Sequence, residues 1–196
     1  MNWFTSDLHF GHANIIKYCN RPFKDVEEMN RVLIENWNSV VGKTDTVYHL
    51  GDFAFRRTFS GHDGSDLDFE SQVNGKVIFL KGNHDSKYPK CIIESMIIRQ
   101  EGHRIHLNHY PELANPLMMS LVGHVHNKWK VQYHVNANNT MGFPIVNVGI
   151  DVWDYRPVSL QQIEKHIKNT AHAEFMETMQ VTKRMVRYDT KPKENV

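Results

Sequence analysis

Asp7, His9, Asp52, Asn83, His109, His124 and His126 are the residues of this chain whose types and spacing could do chemistry together. All are oxygen or imidazole donors, and most follow a short apolar run. Asp7-x-His9 follows NWFTS, Gly51-Asp52 follows TVYHL, and Gly82-Asn83-His84-Asp85 follows KVIFL, with Asn108-His109 and Gly123-His124-x-His126 further on. Residues i and i+2 of an extended segment point to one side, so Asp7 with His9, and His124 with His126, can converge on a point. Seven donors are too many for one four-coordinate zinc ion and suit two ions if one carboxylate bridges them. Without a thiolate the set favours first-row ions, Mn first, with Fe or Zn as alternatives. Two such ions, partly neutralised by two carboxylates and a hydroxide, leave a positive cleft for an anion whose oxygens span both. A phosphate ester fits that description, and a two-metal site can also generate hydroxide at neutral pH. Neutral Asn83 preserves the positive excess, which a carboxylate in its place would cancel.

The rest of the composition narrows the setting. The 196 residues suit one domain with a substantial core. Lys plus Arg number 23 against 22 Asp plus Glu, a formal net charge of +1, which argues against a binder of long nucleic acid driven by overall charge. Thirteen histidines are an excess, and no consecutive run makes them a tag. Cys19 and Cys91 are the two cysteines, too few for a secreted disulfide scaffold. Met1–Phe10 lacks the charged and apolar regions of a signal peptide, and no apolar stretch approaches the roughly 20 residues that span a bilayer. A cytoplasmic protein with no membrane contact is the expectation.

The elements that must position the donors read as an α/β chain. Strands are expected at Asn2–Ser6, Thr46–Leu50 and Lys76–Leu80, each running into a polar cluster. A helical turn is expected at Ala13–Tyr18, and an amphipathic helix at Val26–Val40, where Val26, Met29, Val32, Leu33 and Trp37 recur at helical spacing before Gly42. Asp66–Val73 reads as a helix and Phe53–Ser65 as an irregular loop. The second half suggests strands at Ile92–Ile98, Arg104–Asn108, Met118–Val122, Trp129–His134 and Ile145–Val148, then a capped helix at Ser159–Lys168. One domain is expected over residues 1–170, with a tail over 171–196 that is partly helical and then frayed. In α/β sheets the carboxyl ends of strands are where ligand sites gather.

Taken in order, D-x-H, G-D, G-N-H-D, a lone His and G-H-x-H resemble the signature of the calcineurin-like metallophosphoesterase superfamily. The five blocks lie between residues 7 and 126. The opening DLHFGHANII and the late VNVGIDVW are similar to compact bacterial or phage members. The resemblance implies a four-layer α/β/β/α sandwich of two mixed β-sheets with the metals at one edge. It implies that Asp7, His9, Asp52 and His126 hold one ion, and that Asp52 bridges to a second held by Asn83, His109 and His124. It further implies that His84 protonates the leaving oxygen and that Asp85 holds His84 in orientation.

The implied activity is hydrolysis of phosphate esters by a metal-bridging hydroxide. The short chain carries no obvious cap over a small monoester, which favours phosphodiesters, nucleotides or short nucleic acid. The alternatives are a small-molecule phosphomonoesterase and a non-catalytic interaction scaffold that keeps the fold. His12 and Asn14 could line the pocket or cap the first helix. Arg56 could grip a second phosphate, against the plainer reading of a solvated loop. His49 reads as a hydrogen-bonded core histidine, and His103 and His106 carry no assignment.

Overall fold

Two βα crossovers build the first half. The computed structural model describes residues 1–55, 68–85, 90–135 and 141–170. Strands β1 (Asn2–Thr5), β2 (Thr46–Leu50) and β3 (Lys76–Leu80) are parallel in the order β3-β2-β1, and the short antiparallel β9 (Val158–Ser159) closes the far edge. Between them run α1 (Ala13–Tyr18), α2 (Val26–Val40) and α3 (Phe69–Gln72). Asp25 caps α2 by accepting from the Glu28 N–H at 2.8 Å, and Glu27 and Glu28 sit in the positive first turn. Met29, Leu33 and Trp37, spaced four apart, are fully buried against Trp3, Val47 and Phe79 of the sheet. Each such side chain contributes roughly 1.5–3 kcal/mol by leaving water.

The second sheet has the order β4-β5-β6-β8-β7, with β4 (Ser95–Gln100), β5 (His103–Asn108), β6 (Met119–Val122), β7 (Val131–Val135) and β8 (Met141–Asn147). Its three central strands are parallel and its two edges antiparallel, so both sheets are mixed. Alternation along β1, β2 and β3 turns Phe4, Leu50 and Leu80 away from the helix-side core. They are fully buried, as are Ile105, Leu107, Leu121 and Val146 of the second sheet, the burial expected when two sheets pack face to face. The architecture is an α/β fold of two mixed sheets with flanking helices. Among the described residues no helix is long and apolar enough to cross a membrane.

The chain forms two compact units, Met1–Leu160 and Gln161–Val196; residues 160–170 are helical, and the expected tail at 171–196 lies outside the described residues. Three local expectations need correction. Val158 and Ser159 are a strand, because they pair with Phe4 and Trp3, so the last helix starts later than expected. β8 begins at Met141, although Gly142 and Pro144 look like a turn. Pro144 is tolerated because β8 pairs with β6 from Ile145 onward, leaving its missing N–H on an unpaired side. Finally, α2 stops because Val41 turns extended (φ −90°, ψ 123°), not through a left-handed Gly42.

Candidate metal centre

Parallel strands bring their carboxyl ends to one edge. There β1 delivers Asp7 and His9, β2 delivers Asp52, β3 delivers Asn83 and His84, β5 delivers His109, and β6 delivers His124 and His126. The parallel ladder continues past the strands: the N–H groups of Asp7, His9 and Phe10 donate to the carbonyls of Gly51, Asp52 and Phe53, each at 3.0 Å. The donors do not converge on extended backbone, as the i, i+2 spacing suggested. Asp7 (φ 59°), His9 (φ 53°), Asp52 (φ 62°), His124 (φ 72°) and His126 (φ 50°) are all left-handed. Asp and His tolerate this region better than most residues, yet five such positions at one edge concentrate strain where the chemistry lies.

Two donor groups result, Asp7 with His9 and His126, and Asp7 with Asp52 and His109, the ligand atoms of each lying within 4.8 Å of one another. Asp52 Oδ2 lies between them, 3.6 Å from His9 Nε2 and 3.5 Å from His109 Nε2. Asn83 Oδ1 is 3.1 Å from both His109 Nε2 and His124 Nδ1. Asp7 accepts from Ser6 Oγ at 2.6 Å and from the His124 N–H at 3.0 Å, which ties the first loop to the last.

The orientation of the rings shows what chemistry the cluster suits. His109 Nδ1 lies 2.7 Å from the Leu50 carbonyl, which can only accept. The ring proton is therefore on Nδ1, and the Nε2 lone pair faces the oxygens of Asn83 and Asp52. His126 likewise faces the Asp151 carboxylate through Nδ1, at 3.1 Å. Neither nitrogen of the buried His9 has a hydrogen-bond partner among the described residues. Burial pushes the Asp52 carboxyl up to about 6, against the opposing pull of the His109 ring. Burial, then the neighbouring His126 and Arg21 charges, holds His9 well below the usual imidazole range. Burial also opposes charge on His126, yet its bond to Asp151 and neighbouring groups carry it up to about 10. Oxygen and imidazole donors gathered around the buried Asp7, His9, Asp52 and His109 suit a cation, so the residues present fit divalent metal.

All seven sequence-predicted donors and His84 are thus gathered. His84 is exposed, with its ring 5.1 Å from that of His9, and its backbone N–H donates to Asp52 Oδ1 at 2.9 Å. His12 stands nearby, 5.5 Å from His9 by ring centroid and stacked on Phe55 at 4.4 Å; its side chain makes no cap bond to α1. Asn14 is exposed, and among the described residues no hydrogen bond joins its side chain to the cluster. Arg56 lies outside the described residues.

Among the described residues no hydrogen bond joins Asp85 to the His84 ring. The Asp85 carboxylate accepts from the N–H groups of Asp52 (2.6 Å) and Gly82 (2.8 Å), so it holds the backbone of both turns. His49 is in the core, and among the described residues its ring has no hydrogen-bond partner: it stands edge-on to Phe53, and burial lowers it to about 3. Its position on the helix-facing side of β2 surrounds it with carbon. His106 lies beside Ser120 and Asn108, away from the cluster.

Sequence reasoning missed Arg21 and Asp151. Asp151 was visible within VNVGIDVW, whereas a single Arg before Pro22 gave no signal. Cys19, His126 and Asp151 form a third donor group, but Asp151 already holds the Arg21 guanidinium at 2.8 and 3.0 Å, which fills the cation position there.

Gly51 is the tightest joint of the edge. It is left-handed (φ 97°), and a Cβ on it would stand 2.5 Å from His109 Nδ1 and 2.7 Å from Gly82 Cα. Gly51→Ala should therefore cost about 2–4 kcal/mol from backbone strain plus overpacking. Urea denaturation should show it as a lower midpoint at unchanged slope.

Comparison with known proteins shows what the chain is similar to. The family model described as calcineurin-like phosphoesterase matches residues 3–163. An uncharacterized protein of Methanocaldococcus jannaschii is 38% identical over 173 residues, covering 85% of this chain and 90% of that one. The gene 66 protein of Mycobacterium phage L5 is 42% identical over 87 residues, 44% of this chain and 41% of its own length. A solved structure, a protein of unknown function from Aquifex aeolicus, superposes with a TM-score of 0.61 at 27% identity, covering 84% of this chain and 98% of that one.

Proposed function

Because the chain belongs to the calcineurin-like phosphoesterase family and is a metal-dependent hydrolase of phosphate esters, we propose that it is a dinuclear phosphodiesterase acting on nucleotides or short nucleic acid. Asp7, His9, Asp52 and His126 would hold one divalent cation, and Asp52, Asn83, His109 and His124 the other. Mn is the proposed metal, with Fe or Zn as alternatives. The observation that carries the reading is Asp52 Oδ2, placed 3.6 Å and 3.5 Å from imidazole nitrogens of the two groups, as a shared carboxylate must be. Bound cations would supply positive charge for the phosphate oxygens and lower the pKa of water.

The chain's own residues do the rest. The bonds from Asp85 to the Asp52 and Gly82 N–H groups hold two turns together, and the His84 N–H holds the Asp52 carboxylate in place. The His84 ring, exposed beside His9, would give a proton to the leaving oxygen. His12, stacked on Phe55, and Asn14 at the start of α1 are the proposed substrate contacts. The free, buried thiols of Cys19 and Cys91 suit a reducing cytoplasm, the proposed location.

The test is direct. Protein loaded with Mn²⁺ should hydrolyse bis-p-nitrophenyl phosphate faster than p-nitrophenyl phosphate. EDTA should abolish both activities and added Mn²⁺ restore them. Turnover of neither ester by the loaded protein would overturn the proposal, and a faster monoester would overturn the diester preference.

A further inference from the structure

We infer that Arg21 and Asp151 are positioning residues that together hold Asp7, His9 and His126, the donors of one metal group, in register for a cation. The inference rests on the metal-binding reading above and goes beyond it by assigning two residues that touch no substrate. The Arg21 side chain is fully buried, and the Asp151 side chain is 1% exposed. Arg21 Nε donates to Asp151 Oδ1 at 2.8 Å and Nη2 to Asp151 Oδ2 at 3.0 Å, a two-pronged pairing with fixed geometry. The same guanidinium donates from Nη2 to the Asp7 carbonyl at 2.7 Å and from Nη1 to the Leu8 carbonyl at 2.9 Å. These carbonyls lie in the turn whose ends, Asp7 and His9, are both left-handed. Asp151 Oδ2 in turn faces His126 Nδ1 at 3.1 Å.

One guanidinium thus fastens the strained turn that carries two donors and, through one carboxylate, the third. Without it the left-handed conformations of Asp7 and His9 would lose the bonds that offset their strain, and His126 would be free to rotate. The Asp151 bond also fixes the orientation of the His126 ring. Among the described residues no hydrogen bond joins Arg21 to Asp52, Asn83, His109 or His124, the donors proposed for the second cation, and the ring of His109 is set by the Leu50 carbonyl. The effect should therefore be confined to one of two sites.

The experiment is titration of metal-free protein with Mn²⁺ by calorimetry, with free-ion EPR as an independent count, on wild type, Asp151→Asn, Arg21→Lys and the surface control Arg31→Ala. Asp151→Asn keeps the volume and one acceptor, and it avoids the unpaired buried carboxylate that loss of Arg21 alone would leave. Wild type and Arg31→Ala should bind two equivalents. In Asp151→Asn and Arg21→Lys one equivalent should weaken about 10- to 100-fold, the usual cost of losing a partner that orients a ligand. The other equivalent should keep its affinity. Two equivalents at wild-type affinity in both variants, or an equal weakening of both equivalents, would overturn the inference. A wild type that binds no Mn²⁺ would instead overturn the metal-binding reading itself.

Discussion

Asp52→Asn should abolish turnover and weaken uptake of both metal equivalents together. Asp52 Oδ2 lies 3.6 Å from His9 Nε2 and 3.5 Å from His109 Nε2, so replacing the carboxylate removes charge beside an imidazole of each group in a single step. The amide has the same size and still accepts the bond from the His84 N–H, so the turn geometry survives. The expected loss of kcat/KM exceeds the 10- to 100-fold that follows loss of an outer partner and should reach at least about 10³-fold, or about 4 kcal/mol. The metal-free variant should meanwhile be no less stable than wild type. Burial already pushes the Asp52 carboxyl up to about 6, and a neutral amide in its place relieves the cost of that buried charge. Melting curves should show an unchanged or higher Tm without metal, and loss of the rise that Mn²⁺ gives the wild type. Two Mn²⁺ equivalents at wild-type affinity in the variant would remove Asp52 from its shared position.

His84→Ala should divide substrates by their leaving group. A positioned general acid contributes about 10²- to 10⁴-fold where the departing alkoxide needs a proton, and little where the leaving group departs as a stable anion. A dinucleotide should therefore lose activity by that factor while bis-p-nitrophenyl phosphate loses far less. The substitution is clean because the contact between this residue and Asp52 runs through the backbone N–H, which alanine retains. Mn²⁺ affinity should be unchanged. Equal losses on both substrates would assign His84 to phosphate positioning and not to proton transfer.

Much of the fold was legible because its signals are local. β2, β3, α1 and α2 lie where apolar runs and helical spacing place them, and the polar clusters after β1, β2 and β3 follow from parallel strands ending at a common edge. The second half was harder. β9 is two residues long and owes its existence to Trp3 and Phe4, some 155 positions away in sequence, and β8 runs through a glycine and a proline because one of its sides is unpaired there. The clustered oxygen and imidazole residues were legible in type and order, while the reason given for their convergence was not the one the backbone uses. Left-handed Asp and His carry no mark comparable to a required glycine, so extended spacing was the natural and mistaken inference at Asp7, His9, His124 and His126.

By itself the sequence determined which groups meet: seven oxygen and imidazole donors, no thiolate among them, and a histidine after Asn83, each set down at the end of a strand. That much is local, since donor type and strand periodicity are written in adjacent residues. Only the tertiary structure decided how those groups are held. Asp85 binds backbone in two turns, the Leu50 carbonyl sets the His109 ring, and Arg21 joins the first loop to Asp151, 130 residues away. Each of these depends on a buried hydrogen bond between distant segments, whose partners are fixed by how the sheets and loops pack and by no pattern along the chain.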